Sequence, residues 1–194
     1  MNATITSTAH YVPEKVLTNS DLEKLVDTSD EWIKSRVGIN QRHVVADGEA
    51  SSDMSTKVAH SLLEKRGISA ANIDVIIIGT VTPDHPTPST AAIVQNNINA
   101  ENAWAFDLSA ACSGFLYALE TGAKFIESGQ YKTIMVIGVD TMTSILDFED
   151  RETCIIFGDG AGGVILEASK SNTGILGSVL KTDGSGAELS LIHI

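Results

Sequence analysis

The sequence predicts an α/β fold: a sheet covered by helices on both faces. Three observations lead there. Two strand-length runs, Val75-Ile-Ile-Ile78 and Ile134-Met-Val-Ile137, are apolar at every position. Such strands cannot turn one face to water. Other segments carry apolar residues at helical spacing, as at Met54, Val58, Leu62 and Leu63, and again at Phe115, Leu116, Leu119, Ala123 and Ile126. The two patterns alternate along the chain, as helices and strands do in a layered α/β protein.

The elements follow in order. Residues 3–9 alternate weakly and read as a first strand. Tyr11-Val-Pro13 turns the chain. Ser20-Asp-Leu-Glu23 reads as a capping box opening a short helix, and Thr28-Ser-Asp-Glu31 as a second. The second helix carries Trp32 and Arg36 four apart, on one face, and Gly38 ends it. Ile39 to Val45 reads as a strand, and Asp47-Gly48 as a turn. Ser52 is the expected cap of the Met54–Leu63 helix, with Gly67 just past its end. After the Val75–Ile78 strand comes Val81-Thr-Pro-Asp-His-Pro-Thr-Pro88, a loop stiffened by three prolines. Ser89 caps a helix through about Asn97. Ala103 to Leu108 is a short apolar strand. Lys132 to Val139 is another, followed by an irregular acidic connection from Thr141 to Arg151. Ile175 to Lys181 is expected to add one more strand.

Composition bounds the function. The chain has 194 residues, 43% of them hydrophobic and 20% charged, enough for a sizeable core. Its net charge of −12, from 13 basic and 25 acidic residues, argues against a nucleic-acid backbone as the main partner. A small anionic ligand held by a few local arginines stays open. Two cysteines, Cys112 and Cys154, are too few for a disulfide framework and suit a reducing cytosol. The first residues have neither a basic region nor an apolar core, so no signal peptide is expected. No apolar run is long enough for a membrane-spanning helix.

Several candidate sites are weak on their own residues. Gly158-Asp-Gly-Ala-Gly-Gly163 satisfies G-x-G-x-x-G, but Val164-Ile-Leu-Glu-Ala168 after it is β-like, whereas a dinucleotide site needs a helix there. A tight strand–turn–strand, with glycines allowing close passage of another backbone, is the better reading. The five histidines, His10, His43, His60, His85 and His193, show no helical ligand spacing, and the cysteines form no C-x-x-C, so no metal site is expected. Trp32 and Arg36 could stack on and pair with a nucleotide, or simply pack at the surface.

Cys112 is the sharper candidate. It stands where the Ala103–Leu108 strand gives way, through Ser109-Ala-Ala111, to the Phe115–Ile126 helix. A thiolate there would face unpaired helix N–H groups and the positive end of the helix dipole. That setting favours a nucleophile. The competing reading is an inert core cysteine. The helix is apolar nearly all round and should be buried between layers.

At these residues the chain resembles a known family. Ala105-Phe-Asp-Leu-Ser-Ala-Ala-Cys-Ser-Gly-Phe115 is similar to the nucleophile segment of the β-ketoacyl-acyl-carrier-protein synthases III, of the thiolase fold. Asp27-Thr-Ser-Asp-Glu-Trp-Ile33 with Arg36 and Gly38-Ile39, then Asp150-Arg151, then Ile155-Ile-Phe-Gly-Asp-Gly-Ala-Gly162 agree in the same order. The resemblance implies a layered αβαβα fold, of which the chain holds the N-terminal half over 1–172 and the start of the second half over 173–188. It implies that Cys112 is acylated by an acyl-coenzyme A, and that its N–H is one oxyanion donor. It further implies that the acyl-enzyme condenses with malonyl-acyl-carrier protein in a decarboxylating Claisen reaction that starts fatty-acid chains. Trp32 and Arg151 match the family residues that sandwich the adenine, Arg36 a phosphate contact, and Thr28 a residue near the base. Thr87 falls where a bulkier residue often bounds the acyl pocket, which implies room for a primer longer than acetyl. No separate cofactor is implied, since acyl-coenzyme A is a substrate. A cytoplasmic homodimer is expected.

The family's catalytic histidine and asparagine match no residue of this chain. The chain therefore reads as an N-terminal fragment, expected to lack condensing activity and to expose an apolar face. Leu189-Ser-Leu-Ile-His-Ile194 resembles the translation of a sequencing-library adapter and is expected to be non-native. Rival readings are a secondary-metabolite or hydroxymethylglutaryl-type condensing enzyme and a non-catalytic acyl-binding protein.

Overall fold

The computed structural model describes residues 2–169, 171 and 173–187. The expected non-native tail, 189–194, lies outside them. In chain order the elements are β1 (Asn2–Tyr11), β2 (Lys15–Thr18), α1 (Asn19–Leu22), α2 (Asp30–Arg36), β3 (Gln41–Val44), α3 (Ser51–Arg66), β4 (Val75–Gly79), α4 (Thr90–Asn97), β5 (Trp104–Leu108), α5 (Gly114–Glu127), β6 (Thr133–Thr141), α6 (Arg151–Cys154) and β7 (Asp159–Ser169). They fall into two compact units. The first comprises Met1–Tyr11, Glu49–Asp140 and Gly160–Ser178; the second comprises Val12–Gly48, Thr141–Asp159 and Val179–Ile194.

The first unit is built on a five-stranded sheet in the order β1-β7-β6-β4-β5. β4 runs parallel to both β5 and β6, and β1 runs antiparallel to β7. Side chains alternate across it. Val75, Ile77, Ile134, Val136 and Leu166 pack with Ala118, Ala123 and Ile126 of α5. The opposite face is covered by α3: a Cβ added at Gly163 of β7 would lie 3.2 Å from Val58 and 2.9 Å from Ile137. The α3 stripe of Met54, Val58, Leu62 and Leu63 is buried as its spacing predicts. Each such aliphatic side chain contributes roughly 1.5–3 kcal/mol through burial, so β4 and β6 dominate this core. Gly67 takes a left-handed conformation (φ +70°) and closes α3.

The second unit has little regular structure. β2 and β3 pair antiparallel, and α1, α2 and α6 are four, seven and four residues long. Its apolar centre is Leu22, Ile33, Cys154 and Ile155, with Leu17, Val26, Val37 and Phe148 around them. Hydrogen bonds do much of the fastening. The Asp159 carboxylate accepts from the Val45 N–H at 2.8 Å and from the Thr143 N–H and hydroxyl. Gly38, with φ +78°, ends α2 as expected, donating to the Ile33 and Lys34 carbonyls.

Several sequence expectations need correction. The N-cap of α1 is Thr18, in a reciprocal box with Asp21, and not Ser20. The N-cap of α2 is Ser29, which accepts from the Trp32 N–H, and not Thr28. Helix α3 begins two residues early, with Ala50 at its N-cap, so Ser52 lies inside it and bonds Asp84 instead of capping. The tight strand–turn–strand expected at the glycine run does not form: Cys154 ends α6 and β7 starts at Asp159, so most of the run lies in the strand itself. The close approach expected of that run does occur, since a Cβ at Gly163 would come 2.8 Å from the Val136 carbonyl oxygen. Residues 175–181 form no strand; Ile175 donates one bond to the Ala3 carbonyl, and Leu176 and Val179 are exposed. Helix α5 is buried on one face only. Ala118, Gly122, Ala123 and Ile126 meet the sheet, while Leu116 on the far side is 56% exposed.

Candidate active site

Cys112 is placed by the backbone around it. β5 ends at Leu108, the chain crosses Ser109 and Ala110, and Ala111–Ser113 form one 3₁₀ turn before α5 starts at Gly114. Ala111 has φ +46°, the left-handed region that non-glycine residues enter at a cost. Such backbone persists where its surroundings dictate it, often at functional sites. The surroundings here are two glycines. A Cβ at Gly79, the last residue of β4, would lie 2.8 Å from the Gly114 carbonyl carbon and 3.1 Å from the Phe115 nitrogen. A Cβ at Gly138 of β6 would lie 3.1 Å from that of Phe115. Bare backbone at both positions lets the first turn of α5 settle onto the sheet.

Neighbouring loops are tied down by carboxylates. Asp107 of β5 accepts from the Thr90 and Ala91 N–H groups, both at 2.7 Å, and so caps α4. Asp140 accepts from the Thr80 and Thr82 hydroxyls and from the Val81 and Thr82 N–H groups. Against this fixed background the Cys112 side chain is exposed. The start of a helix, with its unpaired N–H groups, is a favourable place for developing negative charge. Cys154 makes the contrast. It is fully buried, and burial pushes its thiol pKa upward, the direction of an inert thiol. Thr87 stands exposed in the proline loop of the first unit, before a cis bond to Pro88.

The second unit holds the other candidates. The Arg151 guanidinium, at the first residue of α6, lies 4.5 Å from the centre of the Trp32 ring on α2. This stacked cation–π pair offers a flat aromatic face and a planar cation together, the two surfaces suited to a heterocyclic base. Arg36 stands exposed at the end of α2, a turn beyond Trp32. Thr28 precedes the α2 cap, and its hydroxyl is buried with no hydrogen-bond partner. A buried unpaired hydroxyl costs free energy, and a ligand atom could satisfy it. The local folding is driven by caps: Asp150 holds the α6 N–H of Glu152 and the Thr153 hydroxyl, so Arg151 projects from a capped first turn.

Sequence reasoning missed one part of this region. Arg42 on β3 is buried, and it donates to the Ile155 carbonyl and the Asn19 side-chain oxygen. A single arginine between Gln41 and His43 gives no periodic signal of burial. Among the described residues, no helix is long and apolar enough to cross a membrane.

Comparison with known proteins agrees with this geometry. Residues 106–184 match the family described as 3-oxoacyl-[acyl-carrier-protein] synthase III. The chain is 60% identical over 186 residues to the β-ketoacyl-[acyl-carrier-protein] synthase III of Chlorobaculum tepidum, a match covering 95% of this chain and 56% of that protein. The crystal structure of the Aquifex aeolicus 3-oxoacyl-[acyl-carrier-protein] synthase III superposes with a TM-score of 0.85 at 46% identity, over 87% of this chain and 55% of that one. The Thermus thermophilus synthase III superposes with a TM-score of 0.90 at 39% identity, over 95% and 57%. The chain thus spans a little over half the length of these relatives. With a mixed, thiolase-like sheet, an exposed cysteine at the head of α5 and likeness of this extent, the chain is similar to the β-ketoacyl-[acyl-carrier-protein] synthases III over a little more than half of their length.

Proposed function

We propose that Cys112 accepts the acyl group of an acyl-coenzyme A in the first half of a chain-initiating condensation. The Cys112 sulfur attacks the thioester carbonyl, coenzyme A leaves as its thiol, and an acyl-cysteine remains. In a protein of the relatives' full length, which would also supply the histidine and asparagine that no residue here matches, malonyl-acyl-carrier protein would then lose carbon dioxide. The resulting carbanion attacks the acyl-cysteine and displaces the thiolate, giving 3-oxoacyl-acyl-carrier protein. The Cys112 N–H would donate to the oxyanion in both halves. No cofactor enters this balance. The reading assigns the adenine to the Trp32–Arg151 pair, the Thr28 hydroxyl to an atom near the base, and a phosphate to Arg36. A cytoplasmic homodimer is the expected assembly.

The observation that carries this reading is the exposed Cys112 in the 3₁₀ turn leading into α5, in contrast to the buried Cys154. Mass spectrometry after mixing with acetyl-coenzyme A tests it. One acetyl group is expected on Cys112, and none in Cys112→Ala. Label on Cys154, or none at all, would overturn the assignment. Thr87 is exposed and small, which supports a primer slightly longer than acetyl. Acylation rates across a series of acyl-coenzyme A chain lengths check this, and strict preference for acetyl would remove it.

A further inference from the structure

The Trp32–Arg151 pair stands on two helices too short to hold themselves. Helix α2 has seven residues and α6 has four, well under the length at which a helix is stable alone. Whatever fixes their mutual position therefore fixes the separation of the ring and the guanidinium. A buried polar chain does so. Arg42 Nε donates to the carbonyl of Ile155, the C-cap residue of α6, at 3.0 Å, and Nη2 donates to the same oxygen. Nη1 donates to Asn19 Oδ1. Asn19 Nδ2 in turn donates to Asp30 Oδ1 at 2.8 Å and to the Ile39 carbonyl at 2.9 Å. Asp30 is the first residue of α2, and its other oxygen takes Lys34 at 2.8 Å.

Both central members are buried, Asn19 at 1% and Arg42 at 3% exposure. Among the described residues, no carboxylate pairs directly with Arg42. A buried guanidinium held by a carbonyl and an amide is an expensive way to fill space. Its rigid fork, however, can reach α6 and Asn19 at once, which a lysine ammonium cannot reproduce. Asn19 is the matching relay, because only a side chain with both an acceptor and a donor can join a cation to the Asp30 carboxylate.

We propose that Arg42 and Asn19 are positioning residues for the Trp32–Arg151 pair, setting affinity for the nucleotide end of acyl-coenzyme A without touching it. This rests on reading that pair as the coenzyme A clamp. The role makes a distinctive demand. Disturbing the chain should weaken binding of the nucleotide and leave the chemistry of Cys112 intact.

The test uses Arg42→Lys and Asn19→Asp in the full chain. Asn19→Asp keeps an acceptor, now charged, for Arg42 while removing the donor to Asp30, so it cuts the link to α2 specifically. Coenzyme A affinity is measured by calorimetry. Cys112 acylation is followed by mass spectrometry with acetyl-coenzyme A and with a short acetyl thioester lacking the nucleotide. Misplacing one wall of the clamp is expected to weaken coenzyme A binding about tenfold or more. Acylation by the short thioester should stay within about twofold of the parent. Unchanged coenzyme A affinity, equal loss with both thioesters, or loss of the circular-dichroism spectrum in Asn19→Asp would each overturn the positioning role. Trp32→Ala and Arg151→Ala separate the two levels. If these leave coenzyme A binding unchanged, the clamp reading itself fails. If they abolish it and Asn19→Asp does not affect it, only the positioning role fails.

Discussion

The two units reach order by different physics. In the first, Val75, Ile76, Ile77 and Ile78, and Ile134 through Ile137, are fully buried, and helices lie on both faces of their sheet. Apolar burial supplies the driving force, and it is non-directional. In the second, a small apolar cluster around Ile33 and Ile155 is supplemented by directed bonds from Arg42, Asn19, Asp159 and Asp150. The difference teaches where each kind of function can be housed. The exposed turn that carries Cys112, the proposed nucleophile, rests on the sheet as a stiff platform. The Trp32–Arg151 pair instead sits in direct contact at 4.5 Å, on short helices tied by hydrogen bonds.

The contrast is sharpened most by a cavity in the platform. Ile77→Ala removes a fully buried side chain from the centre of β4, and is expected to cost about 3–4 kcal/mol. Each unit carries one tryptophan, Trp104 in the first and Trp32 in the second, so each can be followed alone. With Trp32→Phe as background, the urea midpoint read at Trp104 should fall markedly. A change under about 1 kcal/mol would mean that burial at β4 is not what holds the sheet.

Gly79→Ala asks a narrower question. The added Cβ would meet Gly114 backbone at 2.8 Å, where nothing flexible can give way. Overpacking of this kind is expected to cost about 2–3 kcal/mol and to move the turn that bears Cys112. The rate of Cys112 alkylation by iodoacetamide should change with it. An unchanged rate would detach the cysteine from the Gly79–Gly114 contact.

In the second unit the matching experiment removes an acceptor. Asp159→Ala leaves the Val45 and Thr143 N–H groups without their partner, and the site is only 6% exposed. A loss of about 2 kcal/mol is expected, read at Trp32 in a Trp104→Phe background. A neutral result would show that water replaces the carboxylate there, and would weaken the division between burial and directed bonding.

The same contrast decides what could be read from sequence. β4, β6, α3 and α5 were legible because apolar periodicity reports burial against a sheet. Ser89 capping α4 and Gly67 closing α3 were legible because single residues carry those geometries. Cys112 was visible because small residues surround it at a strand-to-helix junction. The caps of α1 and α2 were misread by one or two positions, since several adjacent Ser, Thr and Asp residues can each cap and only tertiary packing chooses among them. β2 was missed, four residues with no pattern of their own, paired only with β3. The chain from Arg42 through Asn19 to Asp30 joins residues 11 to 23 positions apart and reaches Ile155 at 113. No local pattern encodes it. The alternation that would betray a buried arginine requires knowing what lies opposite.

The smallest expected effect concerns pH and the cap of α6. Asp150 is half-buried, and its carboxyl lies below the ordinary value of 3.8, first through the Thr153 hydroxyl and then through the Glu152 N–H. A carboxylate with a depressed folded pKa contributes most where it is ionised in both states. Its contribution is therefore complete above the unfolded value of 3.8 and is lost as pH falls from there through the lower folded value. The loss should loosen the first turn of α6 and with it the Arg151 guanidinium over Trp32, while Cys112 and its turn are untouched. In the Trp104→Phe background, Trp32 emission should change on acidification through that window. In Asp150→Asn the acid-sensitive step should be absent, with emission at neutral pH already part-way toward the acid form. An identical acid step in both proteins would place the titrating group elsewhere and leave the α6 cap with no part in holding the pair.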